Sequence, residues 1–258
     1  MVRACGVSDA GPVRKTNEDT FVSAPDVHLF AIADGMGGHS AGEVASRLAI
    51  DAITDFIRRS SLDSDLTWPY GFDQTISVDA NRLRTAIQLA NRSILRAAER
   101  TQDYSGMGTT IVGALVNGGR AAIGHVGDSR LYLLRKGQLQ QVTEDDSWAA
   151  TILSRDPGLG PADIARHPMR NVLTSVLGAR EHVDIHLSEI GLQGGEVMLL
   201  CSDGLHGVLD RDTLHDILSA TTDVKATAYA LVEAAMDSGS RDNVTALVVR
   251  YDADADRP

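Results

Sequence analysis

The sequence lacks several features that would place it in a specialised class of protein. Its 258 residues include two cysteines, too few for a disulfide framework, and aromatic residues make up 4% of the chain. No run approaches the roughly 18 consecutive apolar residues of a membrane-spanning helix. The first residues also lack the apolar segment of a secretory signal. We therefore expect a cytoplasmic protein that does not associate with membranes.

Basic residues are scarce as well. Lysine and arginine number 24 against 35 aspartates and glutamates, which gives a net charge of −11, and no basic cluster stands out. A protein that binds nucleic acid ordinarily presents a basic surface to the phosphates. We therefore expect no nucleic-acid partner.

The chain contains short apolar segments separated by glycine-containing turns. Strand patterns occur at Thr20–Ser23, His28–Ala33, Thr109–Val116, Ala121–Val126, Leu131–Arg135, Val197–Cys201 and Val244–Tyr251. The turns in "VNGGRAA" and "LRKGQLQ" indicate hairpins. Amphipathic helices are predicted at Ala41–Arg59, Asn81–Arg100, Asp212–Ala220 and Lys225–Met236. Hairpins outnumber βαβ crossovers, which predicts an α+β fold with antiparallel sheets and helices packed outside them.

Local signals refine this outline. In the first helix Val44, Leu48, Ala52 and Ile53 share one face, and Ser40 is a candidate N-cap. The segment Ser60–Asp79 is predicted to be an exposed connection. Residues 156–168, with three prolines and two glycines, are predicted to form a mobile loop or lid. We expect a single domain over residues 1–252 and a frayed tail at residues 253–258.

Acidic residues stand beside many of the predicted strands. The set is Glu18, Asp19, Asp34, Asp128, Asp203 and Asp242. A single Asp-Gly pair such as Asp34–Gly35 is ordinary turn chemistry. Several partly buried acids at one end of a sheet would repel one another, however, and no matching set of lysines or arginines accompanies them. Divalent cations would compensate this charge.

Oxygen ligands without a histidine or cysteine pattern favour hard cations, so we expect Mg²⁺ or Mn²⁺ rather than zinc. Two such ions, about 3.5–4 Å apart, can share a carboxylate and a water that becomes a nucleophile. Gly35 could offer its carbonyl oxygen to one ion. Arg14 precedes Glu18 by one short segment, and its planar guanidinium suits a phosphate. The alternative for Arg14 is a surface ion pair with one of the acids.

A set of motifs adds a resemblance to this reasoning. The motifs are "RxxNED", "DGMGGH", "GTT", "GDSR", "TEDDS", "NVLTSVLG", "LLCSDGL" and "SRDNVTALVV", and they run in this order from Arg14 to about Val249. In this the chain resembles the metal-dependent serine/threonine protein phosphatases of the type 2C (PPM) family, in particular the bacterial stand-alone members. The resemblance implies a central antiparallel β-sandwich with helices on both sides, a four-layer αββα arrangement.

The resemblance also implies roles for individual residues. Asp34 matches the bridging ligand of a two-metal centre, Gly35 the carbonyl ligand, and Asp203 and Asp242 the remaining carboxylates. The resemblance also implies that Glu18 and Asp19 hold metal-bound waters and that Asp128 helps to bind a third, weaker metal. It implies that Arg14 binds the phosphate and that Asn243 lies near the second metal.

The chain also departs from the family pattern. Met36 stands where animal members carry a histidine proposed as proton donor, although bacterial relatives share the methionine. Within residues 145–178, which resemble the flap beside the active site, Asp146 replaces a common histidine and Ser175 a common arginine. Both changes remove positive charge near the substrate path, which bears on substrate preference and not on the metal chemistry.

Three other histidines invite a functional interpretation. His39 could touch phosphate, but we expect it to cap or pack at the start of the first helix. His125 lies inside a predicted strand and is interpreted as structural. His167 lies in the flap, where it could assist protonation of the leaving group.

Our leading hypothesis is hydrolysis of phosphoserine and phosphothreonine in proteins by metal-activated water. The resemblance implies phosphorylated proteins as partners, together with an opposing bacterial serine/threonine kinase, and we expect a monomer. One alternative is a non-catalytic phosphoprotein-binding module of the same fold. Another is a two-metal phosphatase that acts on small phosphomonoesters.

Overall fold

Two antiparallel sheets form the centre of the protein in a computed structural model that describes residues 1–38, 41–62, 67–155, 167, 169 and 172–252. The strands are β1 (Val2–Asp9), β2 (Asp19–Ala24), β3 (Leu29–Met36), β4 (Gly108–Thr109), β5 (Ile111–Asn117), β6 (Arg120–Val126), β7 (Arg130–Arg135), β8 (Gln138–Gln141), β9 (His186–Gly191), β10 (Glu196–Cys201) and β11 (Val244–Tyr251). One sheet has the order β1-β11-β10-β7-β8. The other has the order β2-β3-β5-β6-β9, with β4 paired to β3.

Helices cover the outer face of each sheet. The described helices are α1 (Ala41–Leu62), α2 (Val78–Arg100), α3 (Trp148–Arg155), α4 (Asp203–His206), α5 (Arg211–Ala220) and α6 (Val224–Asp237). Helices α1 and α2 pack together against the sheet that contains β3, and α5 and α6 pack against the sheet that contains β11. The predicted four-layer αββα fold is therefore confirmed. Among the described helices, none is long and apolar enough to cross a membrane.

The central strands β3 and β10 are buried on both faces, which explains their continuous apolar runs. In β3, Phe30 and Ile32 point into the core between the two sheets, whereas Leu29, Ala31 and Ala33 point towards α1 and α2. Strand β10 shows the same alternation between the inter-sheet core and the helical layer. A strand of this kind carries no polar face, so an acid placed at its end is conspicuous.

The predicted hairpins are confirmed. Gly118 and Gly119 join β5 to β6 with φ values of 56° and 78°. Lys136 and Gly137 join β7 to β8 with φ values of 50° and 71°. Positive φ at both central residues is the feature of the two-residue turns that match the twist of antiparallel strands.

Three sequence expectations need correction. The buried face of α1 is centred on Ala45, Ala49 and Ile53, while Val44, Leu48 and Ala52 are only partly buried, because α1 packs against both a sheet and α2 through small residues. The connection between α1 and α2 is not wholly exposed, since Trp68 packs edge-on against Phe56 with ring centroids 6.3 Å apart. Strands β1 and β9 were not predicted at all.

Some predictions fall on residues that the structure does not describe. These are the Ser40 cap, the role of His39, the loop at residues 156–168 apart from His167, and the tail at residues 253–258.

Candidate metal centre

Asp34 lies near the end of β3, directly before the two residues that pair with β4, and two threonines fix its backbone. The Thr110 amide donates to the Asp34 carbonyl at 2.9 Å, and the Asp34 amide donates to Thr110 Oγ1 at 3.1 Å. Thr109 Oγ1 donates to the same carbonyl at 2.8 Å. The "GTT" motif thus holds Asp34 in place, a role that the sequence analysis had not assigned.

Two glycines allow three segments to meet beside Asp34. A Cβ atom on Gly35 would lie 2.1 Å from the carbonyl oxygen of Gly42, in the first turn of α1. A Cβ atom on Gly42 would lie 2.4 Å from Glu18 Oε1. The Gly35 amide donates to the Glu18 carbonyl at 3.1 Å. Only glycine permits this close approach at both positions.

Asn243 organises the loop that carries Arg14 and Glu18. Its Oδ1 accepts a hydrogen bond from the Glu18 amide at 2.8 Å. Its Nδ2 donates to the carbonyl oxygens of Ala10 and Thr16 at 2.9 and 3.0 Å. The Asn243 side chain therefore ties the N-terminal loop to the start of β11. This is a structural role close to the site.

Arg14 forms an ion pair with Asp242 in which Nη2 lies 2.6 Å from Oδ2. The side chains of Arg14 and Asp242 are 49% and 40% exposed. The ion pair that the sequence left open as an alternative is thus present. Because the pair is solvent-exposed, it contributes little to stability, and the guanidinium stays accessible from the cleft.

Asp19 lies behind the cleft and not in its wall. Its Oδ2 accepts hydrogen bonds from Ser202 Oγ at 2.7 Å and Thr245 Oγ1 at 2.6 Å. Its Oδ1 is buried without a hydrogen-bond partner, and so is Glu18 Oε1. Buried carboxylate oxygens without partners are costly, so both indicate a position where a ligand would supply the missing interaction.

The remaining predicted residues line one cleft of about 410 Å³. Its lining consists of Arg14, Glu18, Asp34, Gly35, Met36, Gly37, Thr110, Asp128, Leu173, Val176, Asp203 and Asp242. The strand ends therefore bring together every predicted site residue except Asp19. Leu173 and Val176, which the sequence analysis did not single out, give one side of the cleft an apolar surface together with Met36.

The acids of the cleft are poorly compensated. Burial raises the pKa of Asp128 to about 7 and that of Asp19 to about 6, and neighbouring carboxylates reinforce both shifts. Burial, followed by repulsion from nearby acids, also raises the pKa of Asp34 well above its usual value and that of Asp203 in the same direction. Arg14 is the one cationic side chain among the described residues that line the cleft.

These residues fit a site for hard divalent cations. Among the described residues, no group of three or more acidic, histidine or cysteine side chains is arranged so that it could hold a metal ion without rearrangement. The donor set is nevertheless all oxygen, it includes two orphaned carboxylate oxygens, and its anions repel one another. A divalent cation would relieve both conditions, which is the chemistry expected of Mg²⁺ or Mn²⁺ ligands.

Two of the histidines considered from the sequence, His125 and His167, do not line the cleft. His125 is buried in β6, and its Nε2 lies 2.7 Å from the Glu144 carbonyl, in agreement with a structural role. The His167 ring stacks on Trp148 with centroids 4.0 Å apart.

The fold is that of a recognised family. The protein phosphatase 2C family matches residues 14–237, and the chain belongs to this family.

Individual relatives share most of this chain. It is 37% identical over 262 residues to the serine/threonine protein phosphatase PstP of Mycobacterium tuberculosis, an alignment that covers 100% of this chain and 47% of PstP. The chain thus spans about half the length of that relative. It is 33% identical over 249 residues to the serine/threonine phosphatase stp of Listeria welshimeri, covering 94% of this chain and 93% of the relative. The crystal structure of the PstP catalytic domain in complex with 2 manganese ions is similar with a TM-score of 0.81 and 35% identity, covering 98% and 99% of the two chains.

Proposed function

We propose that this protein hydrolyses phosphoserine and phosphothreonine in protein substrates. The observation that carries the proposal is the convergence of five carboxylates and one arginine on a single cleft at the ends of the strands. Membership of the protein phosphatase 2C family and the names of the relatives support it.

In this proposal Asp34, Asp203, Asp242 and the Gly35 carbonyl hold two Mn²⁺ or Mg²⁺ ions. When bound, such a pair supplies Lewis acidity and lowers the pKa of water to near neutrality, so that hydroxide is available to attack phosphorus. Glu18 offers its partnerless oxygen to water in the site, and Asp19 does the same from behind the wall. Asp128, at the other side of the cleft, is the candidate ligand for a third, weaker ion.

Arg14 is proposed to bind the phosphate of the substrate. Its partner Asp242 would be compensated by a cation, which leaves the guanidinium free to turn towards another anion. A planar guanidinium can donate two parallel hydrogen bonds to phosphate oxygens and stabilise the charge that develops on them. Met36 lines the cleft but has no proton to give to the leaving group, so that proton must come from another source.

The proposal is tested by hydrolysis of a phosphothreonine peptide with Mn²⁺ and with EDTA. We expect turnover with Mn²⁺, none with EDTA, and recovery when excess metal is restored. Asp203→Asn, which keeps the size of the side chain, should abolish turnover while leaving the circular dichroism spectrum unchanged. Activity that survives the chelator would overturn the mechanism. A wild-type protein that binds a phosphopeptide without turnover would support the non-catalytic alternative.

Substrate class is tested by comparing kcat/KM for a phosphopeptide with that for free phosphoserine. The apolar wall formed by Leu173, Val176 and Met36 favours a substrate with carbon-rich surface around its phosphate. We expect the peptide to be the better substrate. An equal value for free phosphoserine would favour a phosphatase of small esters.

The finer assignments belong to the same proposal. We infer a cytoplasmic monomer in which residues 1–252 form one domain, with residues 145–178 as a flap beside the cleft. The partners are phosphorylated proteins and the serine/threonine kinase that modifies them. The names of the bacterial relatives as serine/threonine phosphatases support this assignment of substrates.

A further inference from the structure

The turn that carries Asp128 is held by a residue of the flap. Gly127, which precedes Asp128, has a φ of 101° and donates its amide hydrogen to Asp146 Oδ2 at 3.0 Å. In return the Asp146 amide donates to the Gly127 carbonyl at 2.9 Å. Asp146 therefore holds both polar groups of the Gly127 backbone at once.

The neighbouring acid holds the other side of the same turn. Asp145 accepts two hydrogen bonds from Arg130, at 2.9 Å from Nε and 2.7 Å from Nη2. The two side chains are only 14% and 24% exposed. Two consecutive carboxylates, Asp145 and Asp146, thus bind residues on either side of Asp128, namely Arg130 two residues after it and Gly127 directly before it.

Asp146 is itself fixed by two further elements. Its Oδ1 lies 2.8 Å from Nε2 of His186 in β9, and its side chain is 13% exposed. The His186 ring stacks on that of His125 with centroids 4.9 Å apart. The Asp146 carbonyl accepts a hydrogen bond from the Thr174 amide at 2.8 Å. Asp146 therefore joins the Asp128 turn, an edge strand and the part of the flap next to Leu173.

The carboxylate of Asp128 remains available while its backbone is fixed. The Asp128 carbonyl accepts a hydrogen bond from His206 Nε2 at 3.0 Å, on the side of α4. Its side chain lines the cleft. The backbone of the turn is thus held by His206 and Asp146, and its one free ligand group faces the site.

We propose that Asp146, oriented by His186, is a positioning residue that sets the direction in which the Asp128 carboxylate enters the cleft. The same contacts tie that direction to the position of the flap at Thr174. This inference rests on the proposed function, because it gives Asp146 a role only through the cation that Asp128 would hold. Loss of a residue that orients a metal ligand typically weakens metal binding about 10–100-fold.

The test uses Asp146→Ala and Asp146→Asn, each alone and combined with Asp128→Asn, with Mn²⁺ alone titrated into the metal-free protein by calorimetry. Asp146→Ala should weaken the weakest Mn²⁺ binding step about tenfold. Asp146→Asn keeps an acceptor for the Gly127 amide and should restore most of that loss. In the Asp128→Asn background, Asp146→Ala should have no further effect. An unchanged isotherm for Asp146→Ala, or an effect that persists at full size without Asp128, would overturn the inference.

His186→Ala provides a second route if Asp146→Ala fails to fold. It should weaken the same Mn²⁺ step in the same direction but less, because the Gly127 hydrogen bond to Asp146 remains. His215→Ala is the matched control, since His215 also lies beside an acid, Asp216, but contacts the Gly137 carbonyl and not the Asp128 turn. A His186→Ala isotherm that matches the control would contradict the proposed role of His186.

Turnover of the wild-type protein separates the two proposals. A wild-type protein without Mn²⁺-dependent hydrolysis overturns the proposed function. A wild-type protein that turns over normally, together with an Asp146→Ala variant that binds Mn²⁺ as the wild type does, overturns the positioning role alone.

Discussion

The two ends of strand β10 carry buried acids in opposite electrostatic situations. At its first residue, Glu196 is 5% exposed and receives two hydrogen bonds from Arg135, at 2.5 and 2.9 Å, and one from the Gln193 amide at 3.0 Å. Burial alone would raise the pKa of Glu196, but these contacts lower it. Just beyond the last residue, Asp203 forms no ion pair within the described part of the chain, and burial and the charge of Asp242 raise its pKa.

The difference separates a structural acid from a candidate ligand. Glu196 has a cation built into the fold, so its charge is compensated as soon as the chain folds. The acids around Asp203 share a single cation, Arg14, which is exposed and paired with Asp242, so most of their charge is left to be compensated by a cation from solution. The state of compensation of a buried acid is therefore more informative than its burial alone.

The sharpest test of this contrast is to neutralise one acid at each end of β10. Asp203→Asn should reduce kcat by about a thousandfold or more, because several kcal/mol of stabilisation are lost and each ~1.4 kcal/mol corresponds to a factor of ten. Glu196→Gln should leave kcat within about twofold of wild type, since no substrate or metal is proposed to reach it. Steady-state kinetics with saturating Mn²⁺ decides between them. Equal losses for the two variants would remove the distinction.

Arg14 gives a second test, because it is the one cation that lines the described part of the cleft. Arg14→Ala should lower kcat/KM for a phosphopeptide about 10–100-fold, the equivalent of a charged hydrogen bond of ~1.5–3 kcal/mol. The free energy of unfolding should change by less than about 0.5 kcal/mol, because the ion pair with Asp242 is exposed. A large loss of stability with intact kinetics would assign Arg14 to the fold instead.

At the other end of the strand the expected effect is on stability. Arg135→Ala leaves Glu196 buried without its cation and should lower the free energy of unfolding by about 1–3 kcal/mol. Urea unfolding in the presence of EDTA measures this change. The variant should keep its Mn²⁺ affinity, measured by calorimetry, and a change in that affinity would show that the two ends of β10 are not independent.

The smallest expected effect concerns pH. A carboxyl with a higher pKa in the folded than in the unfolded state binds its proton mainly when folded, so it adds stability as the pH falls through that pKa. Burial raises the pKa of Asp128 to about 7 and that of Asp19 to about 6. In the metal-free protein these two carboxyls should therefore contribute a gain on the order of 1 kcal/mol between about pH 8.5 and pH 6.5. Burial of His206 and His125 lowers their pKa values and opposes part of this gain, because these histidines bind protons in this window mainly when unfolded.

Urea unfolding in EDTA across this window measures the pH effect. Saturating Mn²⁺ should flatten the dependence, because a cation compensates the same charges. Asp128→Asn should reduce the slope in the metal-free protein. An equal slope in Asp128→Asn and in the wild type, both without metal, would contradict the raised pKa of Asp128.

Much of the cleft could be predicted because it depends on strand ends. Antiparallel neighbours place the end of one strand beside the start of the next, so Asp203 after β10 lies beside the start of β11, and Asp34 near the end of β3 lies opposite Asp19 at the start of β2. The apolar runs that precede Asp34 and Asp203 are strong signals, since both of their faces are buried. The hairpin turns were predictable for the same reason, because their glycines follow from local backbone geometry.

The features that escaped prediction depend on partners distant in the chain. Strand β1 has a weak apolar pattern and forms because β11 pairs with it along its whole length. The contact between Asp146 and His186 joins residues 40 positions apart, and no periodic pattern in the sequence relates the two. The first half of the buried face of α1 consists of small residues such as Ala41, Ala45 and Ala49, which give a weak hydrophobic pattern but allow the helix to approach both a sheet and another helix.

The pairing of β1 with β11 also has a consequence for biosynthesis. Val2 pairs with Tyr251, and the Asp252 amide donates to the Met1 carbonyl at 2.8 Å. A chain emerging from the ribosome holds β1 without its neighbour until β11 has been translated, and Asn243 anchors the Arg14 loop only then. Assembly of the cleft therefore waits for β11, because the loop that carries Arg14 and Glu18 is anchored only when Asn243 has been made and β11 has paired with β1.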